Sequence, residues 1–472
     1  MFLHHRFHGL GPAFYSEERI KPLNEQRLVE INEPLAQFLN VDFKDPTTLD
    51  TLSGELDIPK CLSMVYAGHQ FGGFSPKLGD GRGVLLGELE TQNGDFYDLH
   101  IKGAGLTPFS RMGDGRAVLR SSIREYLVSE YMHALGIPSS RALALYDSTQ
   151  AVYRERPELG AMLARVAKTH IRFGHFEYFY YSGKTDELDA LMQYCLEHHF
   201  PHCLDEELPI LSMFQDIVLR TANMIAHWQA VGFQHGVMNT DNFSILGETI
   251  DYGPYGFMEE YDPSWVCNHS DHEGRYAFGR QPSVGLWNLN CLARSFSNYL
   301  TRDQLVDSLK QYETRLEMHF SRLMTDKMGL SKGALTEELL KEWLAIITKE
   351  GLDYTSAFRL LSTVSKASPA TLLDEVVDRS AASEFLDHYW SQRDDGRDQN
   401  EVSASMLKAN PKFVLRNYLA HETIESAEQG NYLPFRKLLS VLSKPFDEHE
   451  ECKELAMPSP EWGKRLEVSC SS

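Results

Sequence analysis

Three oxygen-bearing side chains give this sequence its most evident chemistry. Asp241 and Asn242 close the run His235-Gly236-Val237-Met238-Asn239-Thr240-Asp241-Asn242, and Asp251-Tyr252-Gly253 begins nine residues later. Mg²⁺ takes one or two protein carboxylate or carbonyl oxygens and completes its shell with phosphate oxygens and water, so Asn242 with Asp251 suffices as a protein ligand set. Asp241 is then free to act as a base. A run of Asn, Thr and Asp is often only a solvated turn, but the Asp-Tyr-Gly after a strand-like segment 243–250 favours the chemical reading.

The spacing has a counterpart in the protein-kinase catalytic loop, where an acidic residue two places after the His is the base and an Asn five places further holds metal. Here the Asn is kept at Asn242, Val237 occupies the acidic slot, and a carboxylate stands instead at Asp241. Either the chemistry has moved or it has been lost. Lys102, at the end of an apolar and aromatic strand segment, and Glu125, on the following helix, repeat the order of the kinase Lys–Glu pair. Glu125 shares a helical stripe with Val118, Ser122, Ser129 and Met132, away from Arg116, Arg120 and Arg124, and so faces a neighbour. A buried carboxylate wants a cation.

Two glycine-rich turns surround these residues. In Lys77-Leu78-Gly79-Asp80-Gly81-Arg82-Gly83 the backbone lacks Cβ atoms where phosphate oxygens could approach. Gly103-Ala104-Gly105 and Ser110-Arg111-Met112-Gly113-Asp114-Gly115-Arg116 form a second turn that opens a helix, either a further phosphate or nucleoside contact or simply a start capped by Asp114. Arg165, inside an apolar strand, and Arg172, seven residues on, are costly to bury without anions and could clamp a polyphosphate. Cys195, His198, His199, His202 and Cys203 lie near one another in sequence, as do Cys267, His269 and His272. Neither set has paired CxxC or HExxH geometry, so both read as ordinary surface histidines rather than zinc sites.

The elements that must position these groups are legible. The segment 83–89 alternates as a strand, with 96–102 its hairpin partner across Gln92-Asn93-Gly94-Asp95. An amphipathic helix spans 115–135 and stops at Gly136-Ile137-Pro138. Strands follow near 141–146 and 161–168, then helices at 186–200 and 211–231. Beyond Gly285 nearly everything reads as helix, the 411–418 and 433–442 segments included. Sheet first and helices afterwards predicts a two-lobed α+β protein with its site between the lobes. The expected divisions are residues 1–150, an N-lobe with the glycine-rich loops; 151–330, a C-lobe with the catalytic and metal segments; and 331–472, a helical extension.

The 472 residues are 42% hydrophobic and 11% aromatic, an ordinary globular balance. Sixty-seven acidic against forty-six basic residues, a formal charge of −21, argue against nucleic acid as partner. No apolar run approaches the roughly 18 residues that span a bilayer. Residues 1–15 lack the apolar core of a signal peptide, and the chain is read as soluble and cytoplasmic. Its seven cysteines are scattered, unlike a disulfide framework. Oligomeric state is left open.

Tyr66-Ala67-Gly68-His69-Gln70-Phe71-Gly72, the 78–83 run, Lys102-Gly103-Ala104-Gly105 and the 232–242 segment together resemble the selenoprotein O family, also called YdiU, over nearly the whole chain. The resemblance implies a kinase-like fold that binds ATP flipped and transfers AMP to Ser, Thr or Tyr hydroxyls of proteins. Bacterial members are also reported to transfer UMP from UTP with Mn²⁺. It makes Gly79, Gly81, Arg82, Asp114 and Gly115 nucleotide contacts, Lys102 a phosphate ligand and Glu125 its partner. Arg165 and Arg172 would bind phosphate, Asp241 would accept the proton, and Asn242 with Asp251 would hold Mg²⁺ or Mn²⁺. Many eukaryotic members carry selenocysteine third from the C-terminus, where this chain has Cys470, and a gating disulfide of Cys470 with Cys267 is the associated expectation. A kinase-like phosphotransferase and a silent nucleotide-binding scaffold are the alternatives. Val237 counts against the first, and the retention of both Asn242 and Asp251 against the second.

Overall fold

The computed structural model describes residues 1–331, 337–393 and 396–469. Its N-terminal part is built on an eight-stranded sheet whose strand pairings are all antiparallel. The strands are β1 (Tyr15–Glu17), β2 (Arg27–Ile31), β3 (Leu62–Met64), β6 (Gly83–Glu90), β7 (Phe96–Lys102), β8 (Ala117–Val118), β9 (Arg141–Tyr153) and β10 (Pro157–Ala167), in the order β1-β3-β6-β7-β10-β9-β2 with β8 paired to β10. Two small two-stranded sheets stand apart, β4 (Gly68–Gln70) with β5 (Gly73–Ser75), and β11 (Phe233–Gln234) with β12 (Gly256–Phe257).

The helices run as α1 (Glu33–Phe38), α2 (Pro46–Ser53), α3 (Leu119–Ala134), α4 (Phe173–Tyr181), α5 (Thr185–His198), α6 (Pro209–Val231), α7 (Gln281–Ser295) and α8 (Arg302–Met328). The C-terminal region adds α9 (Glu337–Glu350), α10 (Tyr354–Leu361), α11 (Ala370–Leu373), α12 (Arg379–Arg393), α13 (Gln399–Ala409), α14 (Asn417–Glu428) and α15 (Leu433–Leu442). The chain is thus a mixed α+β protein, an antiparallel sheet followed by a largely helical region.

Both faces of the sheet are covered, which is why β6, β7 and β10 are buried along most of their length, their few charged residues included. Leu86, Leu99, Ile101 and Val166 pack with α1 and α2 on one side. Leu85 and Leu163 join α3 and the helical region on the other. Gly94, in a left-handed conformation, lets the chain turn between β6 and β7. The resulting register pairs Lys102 with both Gly83 and Leu163, and His100 with Arg165. Because side chains alternate along a strand, His100 and Lys102 point to the same face.

Three expectations need correction. The segment 243–250 is not a strand: it forms only isolated bridges, Phe243 with Thr249, Arg172 with Ser244 and Ser139 with Thr249, because a turn with Gly247 left-handed folds it back on itself. The helix near Asp114 starts later, at Leu119, without a side-chain cap; Asp114 instead accepts the Arg116 amide and pairs with Arg154. Residues 411–416 are irregular, and helix resumes at Asn417.

Helix α3 is also buried more completely than a one-sided stripe predicts, since α14 and α15 cover its second face. Arg124, assigned to the solvent side, is buried and donates to the Tyr255 carbonyl and the Asn417 side chain. No helix among the described residues is long and apolar enough to cross a membrane.

Candidate active site

A cleft of about 620 Å³ opens where β6, β7 and β10 meet the 237–254 segment. Gly79, Gly81, Arg82, Lys102, Asp114, Gly115, Arg165, Asp241, Asn242 and Asp251 all line it. Glu125 and Arg172 lie directly behind the wall, fully buried, and reach the cleft through ion pairs.

The two glycine turns form one lip. The Gly103 and Ala104 amides donate to the Arg82 carbonyl, the Thr107 hydroxyl to the Asp80 carbonyl and the Ser110 hydroxyl to the Gly81 carbonyl. The carbonyls of 80–82 are thereby consumed by the second turn, which sets the first in place. A Cβ at Gly115 would run into the backbone of Gly105, so the close approach of the turns requires glycine there. The lip is cationic in an otherwise acidic chain. Arg154 is held by Asp114, whereas Arg82 and Arg111 are exposed and make no ion pair among the described residues.

On the inner wall, Lys102 pairs with Glu125, and one guanidinium nitrogen of Arg165 lies 3.2 Å from Glu125 Oε1 and 2.6 Å from Asp251 Oδ1. Arg172 pairs with the other oxygen of Asp251 and donates to the Asp241 carbonyl at 3.0 Å, its guanidinium lying over the Tyr66 ring. Burial alone would raise the Asp251 carboxyl, but Arg172, Arg165 and Lys102 hold it well below the usual range. Burial lowers Lys102, with Glu125 opposing. Asp251 also has φ +55°, a left-handed conformation that costs a non-glycine residue energy and is typical of functional sites. The two strand arginines thus grip a carboxylate of the chain itself in this structure.

Asp241 has a different environment. Burial pushes its carboxyl up to about 7, with Arg172 opposing. Gln70 Nε2 donates to Oδ2 at 3.3 Å, while Oδ1 is buried with no partner among the described residues. A buried oxygen left without a partner calls for a proton, a cation or a substrate hydroxyl. Asn242 donates its amide to the carbonyl of Val237 at 3.0 Å, which leaves its own Oδ1 available in the cleft. Val237 therefore serves through its backbone where the kinase pattern has an acid. His235, neutral through burial, ties the loop to the segment before Asp251 through Nε2 and the Ile250 carbonyl, 2.9 Å apart. Asn242 Oδ1 and the Asp251 carboxylate, beside open space for phosphate, are the donor types that Mg²⁺ or Mn²⁺ takes, and a metal at Asp251 would have to displace an arginine nitrogen now on one of its two oxygens.

Sequence reasoning missed several contributors. Arg154 carries no local signal, since only the fold brings β9 to the lip. His100 and Asp80 form a buried pair at 3.4 Å beneath Arg165, set by the pleat of β7. Neither histidine–cysteine cluster converges: among the described residues the one group of three metal-capable side chains is His69, Glu177 and Cys291.

A family model described as protein adenylyltransferase SelO matches residues 1–443. The chain belongs to this SelO/YdiU family of protein nucleotidyltransferases. It is 64% identical over 473 residues to the protein nucleotidyltransferase YdiU of Marinomonas sp. (strain MWYL1), covering 100% of both chains. It is 50% identical to that of Pseudoalteromonas atlantica, covering 96% of each, and 48% identical to that of Vibrio cholerae, covering 100% of this chain and 98% of the other. The SelO/YdiU assignment gives the chain its enzyme class, nucleotidyl transfer.

Proposed function

We propose that this SelO/YdiU protein transfers AMP from ATP, or UMP from UTP, to Ser, Thr or Tyr hydroxyls of protein targets on a kinase-like two-lobed scaffold. The lobes are taken as residues 1–150 and 151–330, with 331–472 as a helical extension, although the sheet of the first continues through β9 and β10 to Ala167. The observation that carries the reading is the asymmetry of the two cleft aspartates: Asp251 is clamped in its charged form by two arginines, and Asp241 is buried with one oxygen unpartnered. Two carboxylates driven apart in this way suit different tasks, a charge-bearing ligand and a proton acceptor.

In this reading Asn242 and Asp251 hold Mg²⁺ or Mn²⁺, which when bound supplies positive charge to the phosphate oxygens. Gly79, Gly81, Arg82, Asp114 and Gly115 receive the nucleotide, with Arg82 supplying a cation that no side chain of the lip has already claimed. Lys102, Arg165 and Arg172 bear on the phosphates, and Glu125 keeps the first two in register. The target hydroxyl attacks the α-phosphorus, its proton passes to Asp241, the bond from the α-phosphorus to the bridging oxygen breaks and pyrophosphate leaves. Positioning and preorganised charge supply most of the acceleration.

Incubation with ATP labelled at the α- or the γ-phosphate tests this directly. Label on protein from the α-position alone is expected; label from the γ-position alone would make the chain a kinase. Cys470 lies outside the described residues. The expected pairing with Cys267 draws support from the parallel bridge of Asn268 with Val468 and the His269 amide donating to the Val468 carbonyl at 2.8 Å. A peptide map of oxidised protein without a Cys267–Cys470 crosslink would refute it.

A further inference from the structure

The buried carboxylate of Glu177 on α4 lies next to the catalytic loop, yet nothing in the transfer chemistry derived above uses it. Its side chain is fully buried, and no lysine or arginine pairs with it among the described residues. Instead it closes a ring. Glu177 Oε1 is 2.6 Å from His69 Nδ1, the Thr240 hydroxyl donates to Glu177 Oε2, and the Thr240 oxygen accepts the His69 amide at 2.7 Å. Every oxygen in the ring is occupied. Cys291 approaches the same group, but both carboxylate oxygens already have partners, so the cluster reads as a hydrogen-bond hub rather than a vacant ligand set.

The position of the ring gives it a consequence. Thr240 immediately precedes Asp241, and His69 is followed by Gln70, whose amide donates to Asp241 Oδ2. On the far side of the β4–β5 hairpin the Phe71 amide is held by Asn239 Oδ1 and the Tyr276 hydroxyl, at 3.3 and 2.9 Å. The first turn of α4 adds the Gly174 carbonyl, which accepts the Ala67 amide at 2.9 Å. Three segments distant in sequence therefore meet at Thr240, and the next residue along is the carboxylate with the unpartnered oxygen.

We infer that Glu177, with His69 and Thr240, is the positioning group for Asp241: the ring locks the β4–β5 hairpin and α4 onto the catalytic loop, and so fixes where Asp241 meets the acceptor hydroxyl. The inference rests on the reading of Asp241 as proton acceptor. A threonine suits the hub because its single hydroxyl donates to Glu177 while accepting from His69, which valine of the same shape cannot do. Misplacing a reacting group by about an ångström costs on the order of 100-fold in rate, whereas nucleotide contacts on the opposite lip are untouched.

The test is α-labelled AMP transfer by the full chain carrying Thr240→Val, Thr240→Ser, Glu177→Gln, Asp241→Ala or Thr240→Val with Asp241→Ala. Thr240→Val and Glu177→Gln are each expected to lower kcat by roughly 10- to 100-fold while KM for ATP stays within about twofold. Thr240→Ser, which restores the hydroxyl, should recover most of the rate. Adding Thr240→Val to Asp241→Ala should cost nothing further, because the ring acts through Asp241. Wild-type kcat in both Thr240→Val and Glu177→Gln, a KM increase in place of a kcat decrease, or full additivity in the double variant would each overturn the positioning role. An undiminished rate in Asp241→Ala alone identifies a different failure, that of Asp241 as base, and removes the inference with it.

Discussion

Glu125 and Asp251 share one guanidinium nitrogen of Arg165, at 3.2 and 2.6 Å, so the helix behind the sheet and the segment after the catalytic loop are joined through a single strand residue. The same guanidinium lies 3.0 Å from His100 Nδ1 through its other terminal nitrogen. A lysine presents one point charge on a flexible stem and cannot reproduce that fork. Arg165→Lys keeps the charge but loses the fork, and is therefore expected to destabilise the fold by about 1 to 3 kcal/mol, the usual scale for leaving a buried hydrogen-bonding group unsatisfied. It should also lower AMP transfer at least tenfold. Urea unfolding and an α-label assay measure the two; a variant with wild-type values in both would mean that the tie carries neither stability nor function.

The environment of Asp241 makes a statement about pH. A base must be deprotonated to work, and burial raises this carboxyl to about 7, so turnover should rise with pH along an acidic limb. A divalent ion beside it favours the charged form and moves the midpoint downward. The limb is thus expected to reach half-height at or below about pH 7, and to vanish in the residual activity of Asp241→Asn. A kcat profile from pH 5 to 9 that is flat in the wild type would dismiss Asp241 as the proton acceptor.

Gly68 packs so closely against Asp241 that an added Cβ would overlap the carboxylate. Gly68→Ala should displace Asp241 and lower kcat by roughly 100-fold, with KM for ATP nearly unchanged because the atoms nearest the added Cβ all belong to Asp241. Steady-state kinetics at saturating and limiting ATP separate the two parameters. An increase confined to KM would place Gly68 in the nucleotide contacts instead.

The sequence carried the site further than it carried the elements around it. Lys102, Glu125, Arg165, Asp241, Asn242 and Asp251 each stand out because a charged or amide side chain breaks an apolar pattern or repeats a known spacing, and the fold brings all of them to one cleft or its wall. What was illegible depends on register and close approach. The His100–Asp80 pair under Arg165 follows from which β7 residue faces which β10 residue, a relation that no local pattern encodes. Arg154 reaches the lip only because β9 and β10 form a long hairpin. The strand expected over 243–250 failed because Gly247 allows a tight turn within an otherwise apolar run, and periodicity alone cannot distinguish a short buried strand from a buried loop. The ring at Thr240 was equally invisible, since His69, Glu177 and Thr240 each look ordinary where they stand.

Lys327, in the last turn of α8, supplies a test of the fold that is independent of catalysis. It is 4% exposed among Met324, Met328 and their neighbours, its ammonium 4.8 Å from the centre of the Phe358 ring, and no acidic side chain pairs with it among the described residues. Burial lowers its pKa from the ordinary 10.5 to about 7. The unfolded chain keeps this proton up to about 10.5 and the folded chain releases it near 7, so between those values the unfolded state binds more protons and stability rises with pH. At and below pH 7 the penalty of a charged, buried amine is present in full. Lys327→Met keeps the length and volume and removes the charge. It should raise Tm by roughly 2 to 5 °C at pH 6.5, and the gain should shrink steadily as the pH approaches 10. Calorimetric scans of both proteins at pH 6.5, 8 and 9.5 measure it; an equal gain at all three values would show that Lys327 does not titrate across this range.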